Sequence, residues 1–234
     1  VAEINAKEMN KKYILTEEYK NIIVSDNQSK RVFRIMAIRS FGGVKAGQLG
    51  GFVEKEENLS HEGDCFVFDD AVVCDDARVE KNSLVMDNAL IFGNALLTDN
   101  AIVVDNAILK DRVVVRGDSE ITDSAVISEN AQVLDSALVS ENAAIKDDAK
   151  IRNFAIVSGH VVVKNNAQIE DHAEVQDEAV ISGNVVAKDN ALIVDHAVVG
   201  ENSVVEDNAV VSGNAVVMGT TVCGNMILSK GYFN

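Results

Sequence analysis

The sequence has no proline and no tryptophan in its 234 residues, and aromatic residues make up only 5%. A conventional globule of this size fills a thick core with large side chains, so that kind of interior is excluded. Without proline, every backbone N–H stays available for a hydrogen-bonded ladder. Cysteines are few: Cys65, Cys74 and Cys223 are an odd number, scattered and without metal-ligand spacing. That argues against a disulfide framework and for a reduced, cytoplasmic setting. No apolar run approaches the roughly 18 residues of a membrane span, and Val1 to Lys12 lacks the apolar stretch of a secretory leader. No membrane partner is therefore expected. Positive charge is scarce, with 21 Lys and Arg against 37 Asp and Glu, a net charge of −16. That balance argues against nucleic acid.

What is abundant is alanine, valine and repetition. From Glu57 to Gly224 the chain reads in sixes, as in DNALIF, GNALLT, DNAIVV and DNAILK, for 28 hexads. With Asp87 to Phe92 as the reference hexad, position five is aliphatic or Cys in 27 hexads, His61 being the exception. Position three is Ala, Val, Ser or Thr in 26, the exceptions being Leu59 and Cys65. Positions one and two are mostly Asp, Glu, Gly or Asn. Two positions apart on an extended strand share a face, so three and five fill a narrow interior with one small and one branched residue. A six-residue period does not hold one face of a 3.6-residue helix. Positions one and two carry residues that tolerate left-handed backbone and bond their own backbone, which is corner chemistry. The reading is a parallel β-helix, each rung bonded to the next.

This pattern resembles the hexapeptide-repeat family, and its GNA and DNA corners are most similar to a bacterial and phage-associated subgroup of acyltransferase-like proteins. The resemblance implies an all-β fold, a single-stranded left-handed parallel β-helix with three hexads per coil, about nine coils in all. At roughly 4.8 Å per rung the rod is on the order of 45 Å long.

Solenoid ends need caps. Residues 1–56 are expected to form a β-rich N-terminal cap, 57–224 the β-helix, and 225–234 a C-terminal cap or tail. Within the cap, Tyr13 to Leu15, Ile22 to Val24 and Val32 to Ile38 read as strands, Ser25 to Ser29 as a hairpin turn, and Phe41 to Gly51 as a glycine-rich bend. Residues 1–56 hold ten Lys and Arg against seven Asp and Glu; residues 57–224 hold ten against thirty. Lys11, Lys12, Lys30, Arg31, Arg34 and Arg39 therefore read as a cap matched to an acidic rod rather than as a nucleic-acid site. At the far end, Met226, Ile227, Tyr232 and Phe233 are expected to plug the rod.

The acyltransferase name implies a His general base in a cleft between subunits, with an extruded loop to hold the acyl carrier. No loop interrupts the hexads. The His candidates, His160, His172 and His196, all stand at position two; His160 and His196 fall on one corner and His172 on another. With no acid or nucleophile assigned beside them, they read as corner residues. His61 reads as an inward residue covered by the cap. The His spacing does not reproduce a zinc site, and no cofactor is expected. Asp69, Asp87, Asp105, Asp123 and Glu141 stack on one corner at 18-residue intervals. They are candidates for a divalent cation but read first as solvated turn residues.

Position four points outward, and its three columns differ. One reads Val72, Leu90, Ile108, Val126, Ala144, Val162, Val180, Val198, Val216, without a polar residue. The second runs Phe66, Leu84, Ile102, Glu120, Leu138, Ile156, Glu174, Leu192, Val210; the third includes Ser60, Arg78, Gln132, Lys150 and Gln168. Nine apolar outward positions in so charged a chain predict a buried face. The expectation is a non-catalytic structural or protein-interaction solenoid, a phage or prophage component, self-associating through that face as a trimer rather than a dimer. The alternative is an acyl-CoA-dependent acyltransferase with its site between subunits. A phage setting would make it virion-associated.

Overall fold

The computed structural model describes residues 10–24 and 29–234. It is an all-β parallel solenoid of about ten coils. No helix among the described residues is long and apolar enough to cross a membrane. From Phe66 to Ile193 each coil holds three two-residue strands, and each strand up to Val180 pairs in parallel with the one eighteen residues on. Val72 faces Leu90, Arg78 faces Leu96 and Leu84 faces Ile102. Three flat sides result: a valine side (Val72 to Val216), a second side (Phe66 to Val210) and a polar side (Arg78 to Val204). Alternation places Ala89 and Ile91 fully inside while Leu90 between them faces out, and the same pattern recurs on every rung. The interior is one continuous core of Ala, Val, Ile and Leu. Where Ser replaces Ala inside, its hydroxyl donates to a backbone carbonyl three residues back: Ser83 to Glu80 at 2.6 Å and Ser203 to Gly200 at 2.7 Å.

The corners explain the acids at position one. Asp87, Asp105 and Asp123 sit at φ 59°, 61° and 58°, left-handed backbone that costs a non-glycine residue about 1–2 kcal/mol. Their carboxylates do not bond their own backbone, as the sequence reading expected. They accept the N–H of position one on the next rung, Asp123 donating to Asp105 Oδ2 at 3.2 Å and Glu141 to Asp123 Oδ2 at 3.1 Å. A charge-assisted hydrogen bond of about 1.5–3 kcal/mol offsets that backbone cost. Position two builds a parallel amide ladder, as from Asn166 to Asn184 at 3.0 Å and Asn184 to Asn202 at 2.8 Å. Gly159 is not interchangeable with these acids. Its φ is 93°, and a Cβ there would lie 2.4 Å from the Asp177 carbonyl oxygen.

Both ends depart from the unbroken period. In the first coil Phe52 pairs with Val72 and Leu59 with Val79, a register of twenty, and residues 61–65 take up the excess. Leu59, not His61, therefore takes the inward place. Asn58 replaces a missing rung: its Nδ2 donates to the Asp75 and Ala77 carbonyls at 3.1 and 2.8 Å. In the last coil Val204 pairs with Thr221, one residue short, so Val222 turns inward and Cys223 does not.

The cap is a hairpin of β1 (Tyr13–Ile23) and β2 (Ser29–Ala37), joined antiparallel to β3 (Leu49–Val53), which continues the valine side. Two of the expected strands are thus parts of one. The expected turn at Ser25 to Ser29 lies, but for Ser29, outside the described residues, as does most of Val1 to Lys12. Gly50 belongs to β3 because a Cβ there would meet the Val67 carbonyl oxygen at 2.5 Å. At the other end, Ile227–Phe233 adds a final rung along the long strand Val210–Met218. Phe233 and Leu228 pack on the core, but Met226, Ile227 and Tyr232 are 50%, 72% and 63% exposed and plug nothing.

Candidate functional site

Corner histidines come first. His160, Glu178 and His196 occupy successive rungs of the corner between the second and valine sides, and His196 Nδ1 lies 3.2 Å from Glu178 Oε2. The sequence reading assigned these histidines no acid neighbour, yet Glu178 stands eighteen residues from each; applying the rung interval to acids as well as histidines would have found it. All three are exposed. The groove beside His160 is shallow, about 270 Å³, and lined by polar groups such as Glu141, Gln176 and Asp177. His172 lies on another corner, stacked on Phe154 with ring centroids 5.2 Å apart. His61 is held by the cap: it stacks on Tyr13 at 4.4 Å, and its Nε2 is 2.6 Å from Glu56 Oε1.

Asp69, Asp87, Asp105, Asp123 and Glu141 do stack on that same corner, each of the first four committing an oxygen to the next rung's N–H. Among the described residues, Glu206, Asp207 and Cys223 form the one cluster whose ligand atoms lie within 4.8 Å of one another. The one-residue deletion before Thr221 brings Cys223 there. Glu206 is already paired with Lys188 at 2.9 Å, and Asp207 accepts the Gly224 N–H at 2.8 Å.

Several of the cap's basic residues face their own chain. Lys30 meets Asp75 at 2.5 Å, and this contact holds its ammonium pKa above the ordinary value. Arg34 donates to the carbonyls of Gly50 and Asp69 at 2.8 and 3.2 Å and approaches Asp70. Lys20 donates to the Asp70 carbonyl at 3.0 Å while lying 4.0 Å over the Phe52 ring, and burial lowers its pKa. Arg31 covers Tyr19, and Arg39 donates to the Asn10 carbonyl. Lys12 is fully buried; its Nζ donates to the Cys65 and Gly63 carbonyls at 2.7 and 3.1 Å and lies 3.2 Å from Cys65 Sγ. Burial pushes the Lys12 amine down and the Cys65 thiol up.

These contacts decide the geometry of the valine side. A flat sheet β1–β2–β3 would leave Lys20 three strands, about 14 Å, from the rung of Asp70. The sheet instead curls so that Val24 and Val32 pack with Phe52, Val72, Cys74 and Phe92 in a second, outer apolar cluster. Val72 is buried beneath it, which corrects its place in the expected free stripe, and Leu90 and Ile108 pack at its margin. Burial pushes the Cys74 thiol up to about 12. Beyond the hairpin, Val126, Ala144, Val162, Val180 and Val198 stay half-buried, shielded by rung neighbours but covered by no other described residue. On the second side Glu120 is exposed, and Glu174 accepts from Gln176 at 2.8 Å. Compared with known proteins, the chain matches no family model and no curated protein.

Proposed function

We propose that this chain is a non-catalytic structural or protein-interaction solenoid whose contact surface is the open valine side, Ile108 to Val198. The observation that carries the reading is that run of outward apolar residues, continuous over six rungs of an otherwise acidic rod. Strand propensity accounts for single exposed valines, whereas an unbroken apolar strip of several rungs is the kind of patch that is often functional on a soluble surface. Isolated in solution, the chain self-associates there. A pairing through this side alone is two-fold, whereas engagement of the second side as well gives the three-fold assembly that the hexapeptide-repeat resemblance implies. That resemblance also supplies the setting, a phage or prophage component. The test is the solution mass of the wild type beside Val126→Lys/Val162→Lys. An oligomer that the double variant reduces to monomer supports the reading; a wild-type monomer at micromolar concentration, or an unchanged mass in the variant, rejects it.

One observation favours a second reading, an acyl-CoA-dependent acyltransferase. His196 and Glu178 pair on the corner beside the valine side, where neighbouring copies would approach. Saturable acyl-CoA binding lost in His196→Ala would establish it.

A further inference from the structure

The valine side already carries one occupant over its first coils, and that occupant is a basic, amphipathic β-hairpin. Its apolar positions, Val24 and Val32, sit on Val72 and Phe92. Its cations, Lys20 and Arg34, reach the corner of Asp69 and Asp70. The same surface continues past the hairpin. The Asp69 column runs on through Asp105, Asp123, Glu141, Asp177 and Asp195, and neither corner position on that edge holds a lysine or arginine on any rung. The opposite edge is mixed, with Lys110, Lys146 and Lys164 at the strand ends beside Asp111 and Asp147. From Ile108, at the hairpin's margin, to Val198 the surface therefore repeats what the hairpin binds, an apolar strip along an anionic corner, and Val126 to Val198 have no cover among the described residues.

We propose, building on the interaction reading above, that this open stretch docks a β-strand or hairpin of another protein, apolar at alternate positions and rich in Lys or Arg on the edge facing the Asp105-to-Asp195 corner. The rung backbone is already paired within its ladder, so the occupant packs face-on through side chains and adds no strand to an edge. A second copy meets this side when the chain is alone in solution, but it fits less well than such a partner. Its hairpin is seated on its own rod, and its repeat carries thirty acids against ten bases. The strip spans five rung spacings, roughly 24 Å. That is smaller than a standard stable interface, so binding falls in about the micromolar range.

The experiment titrates the 234-residue chain into two fluorescent peptides, one with Val and Lys two residues apart on the same strand face, as Val32 and Arg34 are, and one with Glu in place of Lys, and follows anisotropy. Saturable binding of the Lys peptide alone supports docking, provided affinity falls on the order of tenfold in both Val126→Lys/Val162→Lys and Asp123→Asn/Asp177→Asn. Cross-linking of the wild-type complex, mapped to the Val126-to-Val198 rungs, supports it without any variant. Equal binding of both peptides, binding untouched by the variants, or cross-links confined to other corners overturns it. So does no binding at all, and the solution mass then separates two cases. A wild-type oligomer whose contact the Val126→Lys/Val162→Lys pair abolishes names the second copy as occupant and leaves the interaction reading standing. A monomer overturns both.

Discussion

At its N-terminal end the rod buries Lys12, Tyr13 and Phe66 completely, whereas at its C-terminal end Met226, Ile227 and Tyr232 remain at least half exposed. The first coil departs from the repeat to achieve this. Phe66 stacks edge-on with Phe41 and Phe68 at 5.6 and 5.0 Å, and Tyr13 donates its hydroxyl to the Glu56 and Leu59 carbonyls at 2.8 Å each. The last coil, though one residue short, keeps the rung pairing and adds one strand. A hexad can extend the stack but cannot close it, since position three is too small and position four points out. Closure needs large residues brought in from outside the period.

The ends should therefore respond unequally to truncation. Phe66→Ala is expected to lower stability by about 3–5 kcal/mol, while Phe233→Ala, at a half-covered site, should lose about 1 kcal/mol; urea midpoints of the two variants decide. Equal losses would mean that the final rung seals the core as firmly as the cap. Lys12→Met leaves buried carbonyls without donors and should cost about 2 kcal/mol, measured the same way. A neutral result would show that shedding the buried charge compensates.

Smaller effects sharpen the contrast between corner and cap. Asp123→Val forces a branched residue into left-handed backbone and removes the acceptor for Glu141, an expected loss of about 2 kcal/mol. Asp123→Asn keeps an acceptor and should stay within about 0.5 kcal/mol of wild type. The smallest effect is on pH. The folded pKa of Lys30 is raised by Asp75 and that of Lys55 by Asp76, so their contribution is complete below the ordinary lysine value near 10.4 and fades as pH climbs through the raised values. Thermal midpoints by circular dichroism should hold up to about pH 10 and drop above it, and less in a Lys30→Gln/Lys55→Gln variant.

Much of the architecture was legible because it is local and repeated. Alternation at positions three to five, acids and Asn at the corners, and the absence of proline each state the same coil at every rung. The unbroken period was legible in the letters but not in space. His61 and Cys223 fall in phase on paper, yet the register of twenty at Phe52 and the missing residue before Thr221 shift both off the inward column. Pairing across rungs responds to which side chain fits the interior, and Leu59 and Val222 fit better. Glu178 escaped the sequence reading of the histidines because its partnership depends on stacking eighteen residues apart rather than on nearness along the chain.

The sequence by itself determined that this chain coils in hexads around a thin aliphatic core and that one outward column is apolar from end to end, since both follow from alternation along a strand. Only the tertiary structure decided how much of that column is free. The hairpin curls back because Val24 and Val32 leave water on Phe52 and Val72 while Lys20 and Arg34 reach the Asp69–Asp70 corner. These contacts join residues up to about seventy positions apart, and their free energy depends on shape and charge meeting in space, which no period in the chain records.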